Sequence, residues 1–205
     1  MQFKIKNTTY KISFTFLSLI LFVLTTNKSR TIIFLLLFAI LHEMVHLIFI
    51  YRFSVAPEKV DFTLLGANIS RGLSVTNNIN SEIIINLSAP VFNIATGAFF
   101  QLLSISDYNQ IFTEIAQVNF TLGFFNLIPF HTFDGGATLK YILLKYIDEI
   151  KTEQILTWVS LIITVTFSFI SIHIFLNYKH NFSIFLMCIY MFISIIFKKQ
   201  NSLDY

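Results

Sequence analysis

The sequence predicts an all-α polytopic membrane protein of about six transmembrane helices, with a short cytoplasmic β-hairpin between the second and third. Three observations predict it. Hydrophobic residues make up 55% of the 205 and charged residues only 12%, with a mean hydropathy of +0.72, well outside soluble globular usage. Six apolar stretches, each of about 17–25 residues, are long enough to cross a hydrocarbon core. The basic residues fall mostly on one side of the bilayer when those stretches are threaded through it.

The stretches cover residues 10–26, 31–53, 82–104, 110–130, 154–178 and 181–197. No small-residue cleavage site follows the first, and Asn27-Lys28-Ser29-Arg30 turns straight into the second, so it reads as an anchor and not a signal peptide. With the N-terminus inside, Lys4, Lys6, Lys11, Arg52, Lys59, Arg71, Lys140, Lys145, Lys151, Lys198 and Lys199 are cytoplasmic, and Lys28, Arg30 and Lys179 lie outside. The formal net charge of +3 is thus a topology signal. No Lys/Arg cluster is dense enough for nucleic acid, which is excluded as a partner. The single cysteine, Cys188, rules out an internal disulfide and reads as a small core hydrophobe.

Between the second and third spans, Lys59 to Leu65 alternates apolar and polar residues, Gly66 follows, and Ala67 to Leu73 continues, which reads as a hairpin over 59–73. The third span carries Ser88-Ala89-Pro90 and Asn93, and the proline is placed to kink the helix or free a carbonyl. In the fourth, Asn119, Gly123 and Asn126 share one face, the kind of small and polar face that packs on a neighbouring helix. Leu139, Ile142, Leu143, Tyr146 and Ile150 then recur at helical spacing opposite Lys140, Lys145, Asp148 and Glu149, an amphipathic helix for the cytoplasmic interface. His173 and His180 read as interfacial. The expected organisation is a single domain over 1–205 with no appended soluble domain.

The chemistry lies in the second span, at His42-Glu43-Met44-Val45-His46. Residues four apart share a helix face, so both imidazoles can reach one metal, with Glu43 beside them facing a metal-bound water. A histidine pair and a carboxylate in hydrocarbon each cost about 2–4 kcal/mol to insert. Such residues persist where they line a polar cavity or bind a ligand. A catalytic zinc takes three protein ligands and keeps a position for water, so a third ligand is needed. Among Glu82, Asp107, Glu114 and Asp134, topology puts Asp134 and Glu82 at the cytoplasmic side with the histidines. Asp134 is the better placed and Glu82 the second. Asp134 follows Asn126-Leu127-Ile128-Pro129, where the proline breaks the helix and lets the chain re-enter as an irregular segment. Gly135 and Gly136 permit close backbone approach.

His42-Glu43-x-x-His46 in a span, followed by Asn126-x-x-Pro129-x-x-x-x-Asp134-Gly135, resembles the site-2 protease family of intramembrane zinc metalloproteases, peptidase family M50. Both motifs occur in the family's order and the six-span plan fits, so the resemblance covers essentially the whole chain. It is nearest to the branch containing the sporulation sigma-factor-processing protease. The resemblance implies that His42, His46 and Asp134 bind Zn2+, that Glu43 is general base and acid, and that Asn126 and Pro129 help to orient substrate. Ala89-Pro90 with Asn93 is similar to the family's Gly-Pro-x-x-Asn element, Ala89 standing for the glycine that brings helices close. His131 falls within the aspartate element and reads as a surface or supporting histidine. The implied substrate is a membrane-tethered protein such as a sigma-factor precursor, cleaved near the cytoplasmic face of the lipid bilayer, with a small inhibitory membrane protein as a further partner.

Three other classes compete, one of them a catalytically silent scaffold, which would not need Glu43 retained beside two ligands. An unrelated membrane metallopeptidase would use a glutamate as third ligand. A membrane metal-binding or transport protein would need polar groups continuing across the bilayer.

Overall fold

A computed structural model of the chain describes residues 2–5, 8–12, 29–53, 59–63, 66–70, 78–107, 109–177 and 182–201. It divides into two compact units, residues 1–127 and 128–205.

The first unit holds a sheet and three helices. Strands β1 (Gln2–Ile5), β2 (Thr8–Ile12), β3 (Lys59–Thr63) and β4 (Gly66–Ser70) form one sheet in the order β1-β2-β3-β4. β1/β2 and β3/β4 are antiparallel, with Ile5 opposite Thr8 and Thr63 opposite Gly66. β2 and β3 are parallel, with Thr9 opposite Lys59 and Ile12 opposite Phe62. Residues 71–73 of the expected hairpin lie outside the described residues. The sheet also corrects the expected first span, because Tyr10 to Ile12 belong to β2. A hydropathy window is blind to alternation, and Thr8-Thr9-Tyr10-Lys11-Ile12 is rich in strand formers. The remainder of that span, from 13 on, lies outside the described residues. The buried Thr8 Oγ1 shares a 3.0 Å hydrogen bond with Tyr51 Oη, which fastens β2 to the end of the first described helix.

That helix, α1 (Arg30–Phe53), buries Phe38, His42, His46 and Ile50, one residue every four and hence one face. Ile33, Leu37, Ile40, Met44 and Ile48 look outward. α2 (Ile79–Asp107) and α3 (Gln110–Asn126) follow, the latter capped by Asn109, whose side chain accepts from the Ile111 N–H at 3.0 Å. Phe38, Ile115 and Val118 form the apolar centre of the three helices, ringed by Phe34, Leu41, Phe100 and Leu122. Close approach of α2 and α3 is provided by Gly123: a Cβ there would stand 2.7 Å from Ile94 Cγ1 and 3.0 Å from the Pro90 carbonyl oxygen. Ala89 is itself fully buried. The glycine that lets the helices meet is therefore on α3, so alanine at 89 does not keep them apart.

The second unit begins with the irregular stretch 128–133, then α4 (Asp134–Leu143), α5 (Glu149–Asn177) and α6 (Phe182–Asn201). The amphipathic helix expected to run on to Ile150 ends at Leu143, and residues 144–148 form turns before α5. Exposed Tyr146 and Ile150 continue the apolar spacing past the helix itself. Lys140 Nζ pairs with Glu153 Oε1 at 2.5 Å, tying α4 to α5.

Among the described residues, three helices, over Arg30–Phe53, Ile79–Ser106 and Glu149–Asn177, are long and apolar enough to cross a membrane, and α3 is a shorter helix of 17 residues. Large apolar side chains such as Met44, Leu102, Trp158 and Phe169 face outward while Asn93, Asn119, Thr152, Ser160 and Thr164 are buried. A bilayer produces this inversion, since lipid is as apolar as leucine and polar groups must find partners inside. Hydroxyls of Thr157, Thr164 and Ser168 return to the carbonyls four residues back, satisfying themselves within α5. The chain is an integral membrane protein.

Candidate metal centre

His42 and His46 sit one turn apart on the inward face of α1, 5% and 7% exposed, their rings 4.9 Å apart and nearly perpendicular. Each ring is held by its Nδ1. His42 Nδ1 lies 2.5 Å from Asn93 Oδ1 on α2, and His46 Nδ1 lies 3.0 Å from the Ile85 carbonyl oxygen. The same carbonyl accepts from the Ser88 hydroxyl at 2.7 Å. It belongs to the turn disturbed by Pro90, which has no N–H for the carbonyl of Asn86.

Both acceptors are oxygens, so both Nδ1 atoms are the donors. The Asn93 amide cannot be reversed, because its Nδ2 donates to Asn119 Oδ1 at 2.9 Å and Asn119 Nδ2 in turn donates to the Ile115 carbonyl at 3.0 Å. A backbone carbonyl only accepts, so the direction of the whole chain is fixed from that end. A neutral ring held in this way carries its proton on Nδ1 and presents Nε2 as the lone-pair nitrogen, the tautomer a divalent metal requires. Neutral imidazoles oriented in this way suit zinc. Glu43, half-buried, is adjacent to His42 on the same helix.

Of the carboxylates weighed as a third ligand within this unit, Glu114 is engaged by Arg30 Nη2 at 3.2 Å. Arg30 is twelve residues from His42, about 18 Å along the helix, which sets Glu114 far from the histidines. Glu82 is buried on α2 one turn before Ile85. Asn126 is the last residue of α3, and one of its Nδ2 protons goes to the Leu122 carbonyl at 3.0 Å.

In the second unit Asp134 is the first residue of α4, half-buried, where a carboxylate is favoured by the helix dipole. Pro129 is exposed and Phe130 fully buried. The Phe130 N–H bonds the Ile128 carbonyl at 2.7 Å and the Phe133 N–H bonds the Phe130 carbonyl at 2.9 Å, so the chain turns tightly before the aspartate. The His131 N–H donates to Ser160 Oγ at 3.1 Å, anchoring the turn on α5. Gly136 is indispensable: a Cβ there would lie 2.0 Å from the Phe130 carbonyl oxygen. The turn and the helix can share this space only with glycine.

Sequence reasoning took Asn119 for a helix-bridging residue and Asn93 for part of a packing element, and missed that the two form a chain ending on His42. The available signal was the cost of two asparagines in apolar spans.

This helical membrane fold carries a buried histidine pair in its first described helix. It is similar over 95% of this chain and 93% of the other to the solved site-2 protease of Methanocaldococcus jannaschii, with a TM-score of 0.64 at 21% identity. The model of Peptidase family M50 matches residues 104–169, which include Asp134. A zinc metalloprotease of Methanocaldococcus jannaschii is 29% identical over 134 residues, 60% of this chain. The chain spans 38% of the length of that relative.

Proposed function

We propose that this protein is an intramembrane zinc metalloprotease that hydrolyses peptide bonds of membrane-tethered proteins near the cytoplasmic face. The observation that carries the reading is the pair of buried imidazoles on α1, each with Nδ1 tied to an oxygen and Nε2 as the nitrogen for a metal, beside a half-buried glutamate. In this reading His42, His46 and Asp134 supply the His-His-carboxylate set that a catalytic zinc takes. The M50 match around Asp134 supports its place as third ligand over Glu82.

Zinc held by these residues would supply the Lewis acidity that hydrolysis of a peptide bond needs. Glu43 accepts the proton of the attacking water and returns it to the leaving amine. Asn126 and the exposed Pro129 border the substrate, where Asn126 offers Oδ1 and its second Nδ2 proton. A scissile segment must be extended to present its carbonyl, and β4, at the edge of the sheet, offers a strand for such a segment to join.

The cytoplasmic setting rests on the distribution of Lys and Arg. The shared sheet of residues 2–12 and 59–70 supports it, since both segments then lie on one side of the membrane. Within this reading the natural substrate is a sigma-factor precursor in a sporulating cell, and a small membrane protein acts as inhibitor. Those two parts rest on family analogy.

The test is reconstitution of the full chain in proteoliposomes with zinc, co-incorporated with membrane-tethered precursors. Fragments that appear with the native chain and vanish with Glu43→Gln support the reading. Zinc flux without cleavage would instead indicate a transporter.

A further inference from the structure

We infer that Asn119 is a positioning residue for His42: acting through the Asn93 amide, it decides which nitrogen of the imidazole carries the proton. The consequence for metal binding rests on the reading of His42 as a zinc ligand, whereas the effect on the proton does not.

Asn93 and Asn119 are fully buried and His42 nearly so, which leaves water no access to correct a wrong orientation. Asn93 has two ways to lie. In the observed one, Oδ1 faces His42 Nδ1 and Nδ2 faces Asn119 Oδ1. Rotated by half a turn, it would set Oδ1 against Asn119 Oδ1, two acceptors in contact, and Nδ2 against His42 Nδ1. That arrangement demands a lone pair on Nδ1 and the proton on Nε2, and an imidazole so protonated cannot bind a metal through Nε2.

The bias comes from Asn119, whose own amide is oriented by the Ile115 carbonyl. Two side-chain amides thus transmit the fixed polarity of the α3 backbone to the ring on α1. With an apolar residue at 119, the Asn93 amide loses the partner that orients it and its rotated form, which favours the other tautomer, becomes accessible.

Nitrogen-15 NMR of histidine-labelled full-length protein in zinc-free nanodiscs reads the tautomer directly, with His42→Gln identifying the His42 signals among the five histidines. The native chain is expected to show Nδ1–H alone. Asn119→Leu is expected to show a mixture of tautomers. Asn119→Asp, which retains an acceptor for Asn93, is expected to restore the native pattern. In chelator competition Asn119→Leu should bind zinc more weakly, by up to the roughly 10–100-fold typical of losing a ligand's hydrogen-bond partner.

A purely structural role for Asn119 would lower stability in both variants and leave the tautomer unchanged, which would overturn the inference. So would Nε2–H on His42 in the native chain, a result that needs no variant to fold. Should the native chain fail to bind zinc while Asn119→Leu still shifts the tautomer, the protease reading falls and the relay stands. Normal cleavage with a tautomer that does not respond to Asn119→Leu overturns the relay and leaves the protease reading in place.

Discussion

Asn93 Oδ1 accepts from His42 Nδ1 across 2.5 Å between α2 and α1, with both residues out of reach of solvent. One hydrogen bond thereby does two things. It offsets the cost of placing an imidazole among apolar helices, and it leaves Nε2 as the only nitrogen for a metal. His46 obtains the same result from a backbone carbonyl.

Glu43→Gln should retain zinc and lose cleavage by about 10²–10⁴-fold, the usual contribution of a positioned general base. Glutamine keeps the size and polarity of the side chain and removes only proton acceptance. Metal content by mass spectrometry alongside a proteoliposome cleavage assay checks this. Full activity in a zinc-loaded variant defeats the assignment.

Alanine at Asp134 should abolish zinc retention and cleavage, whereas alanine at Glu114 should leave cleavage within about twofold, because it removes only an ion pair with an exposed arginine. Glu82→Ala discriminates the competing arrangement. If it strips zinc while Asp134→Ala does not, the third ligand is the glutamate.

Removal of metal by a zinc chelator should stop proteolysis, and added zinc should restore it. Helical circular dichroism is expected to change little across the cycle, because the His42 and His46 rings are held by protein oxygens independently of metal. Helix loss on chelation would contradict that expectation.

Gly136→Ala should be far more damaging than an ordinary glycine replacement. Its Cβ would fall 2.0 Å from a backbone oxygen, and backbone cannot swing away as a side-chain tip can. The expected cost reaches or exceeds the ~3 kcal/mol at the upper end of overpacking. Loss of cleavage with lowered thermal stability in detergent is the measurement.

Gly123→Val should separate α2 from α3 and destabilise the first unit by about 1–3 kcal/mol. Asn119 is one turn away, so zinc affinity should fall with stability. A variant as stable as the native chain would show that the contact of Gly123 with Ile94 and Pro90 is not tight.

The histidine pair, Glu43 and the break at Pro129 were legible because each is written in local spacing: four residues for a shared helix face, and a proline that cannot continue one. The long apolar helices α1, α2 and α5 were legible because hydropathy over about 20 residues is a local property. The joining of β2 to β3 escaped notice since it pairs residues some fifty positions apart, and no window of sequence contains both partners; the local β1/β2 hairpin was masked by the hydropathy of the run that begins at Tyr10. The end of α4 at Leu143 was overrun for a different reason: the apolar period continues through turns closed by local bonds, Lys145 N–H to the Ile142 carbonyl and Tyr146 N–H to the Leu143 carbonyl, which hydropathy does not register.

By itself the sequence determined that this is a membrane protein and that a histidine pair at metal-ligand spacing and a carboxylate lie in one of its helices, since composition and spacing are properties of the chain alone. Only the tertiary structure decided how the histidines are held. The Asn119, Asn93 and His42 side chains come from three different helices. The polarity of their hydrogen bonds exists only once packing has brought those helices together and excluded water from between them.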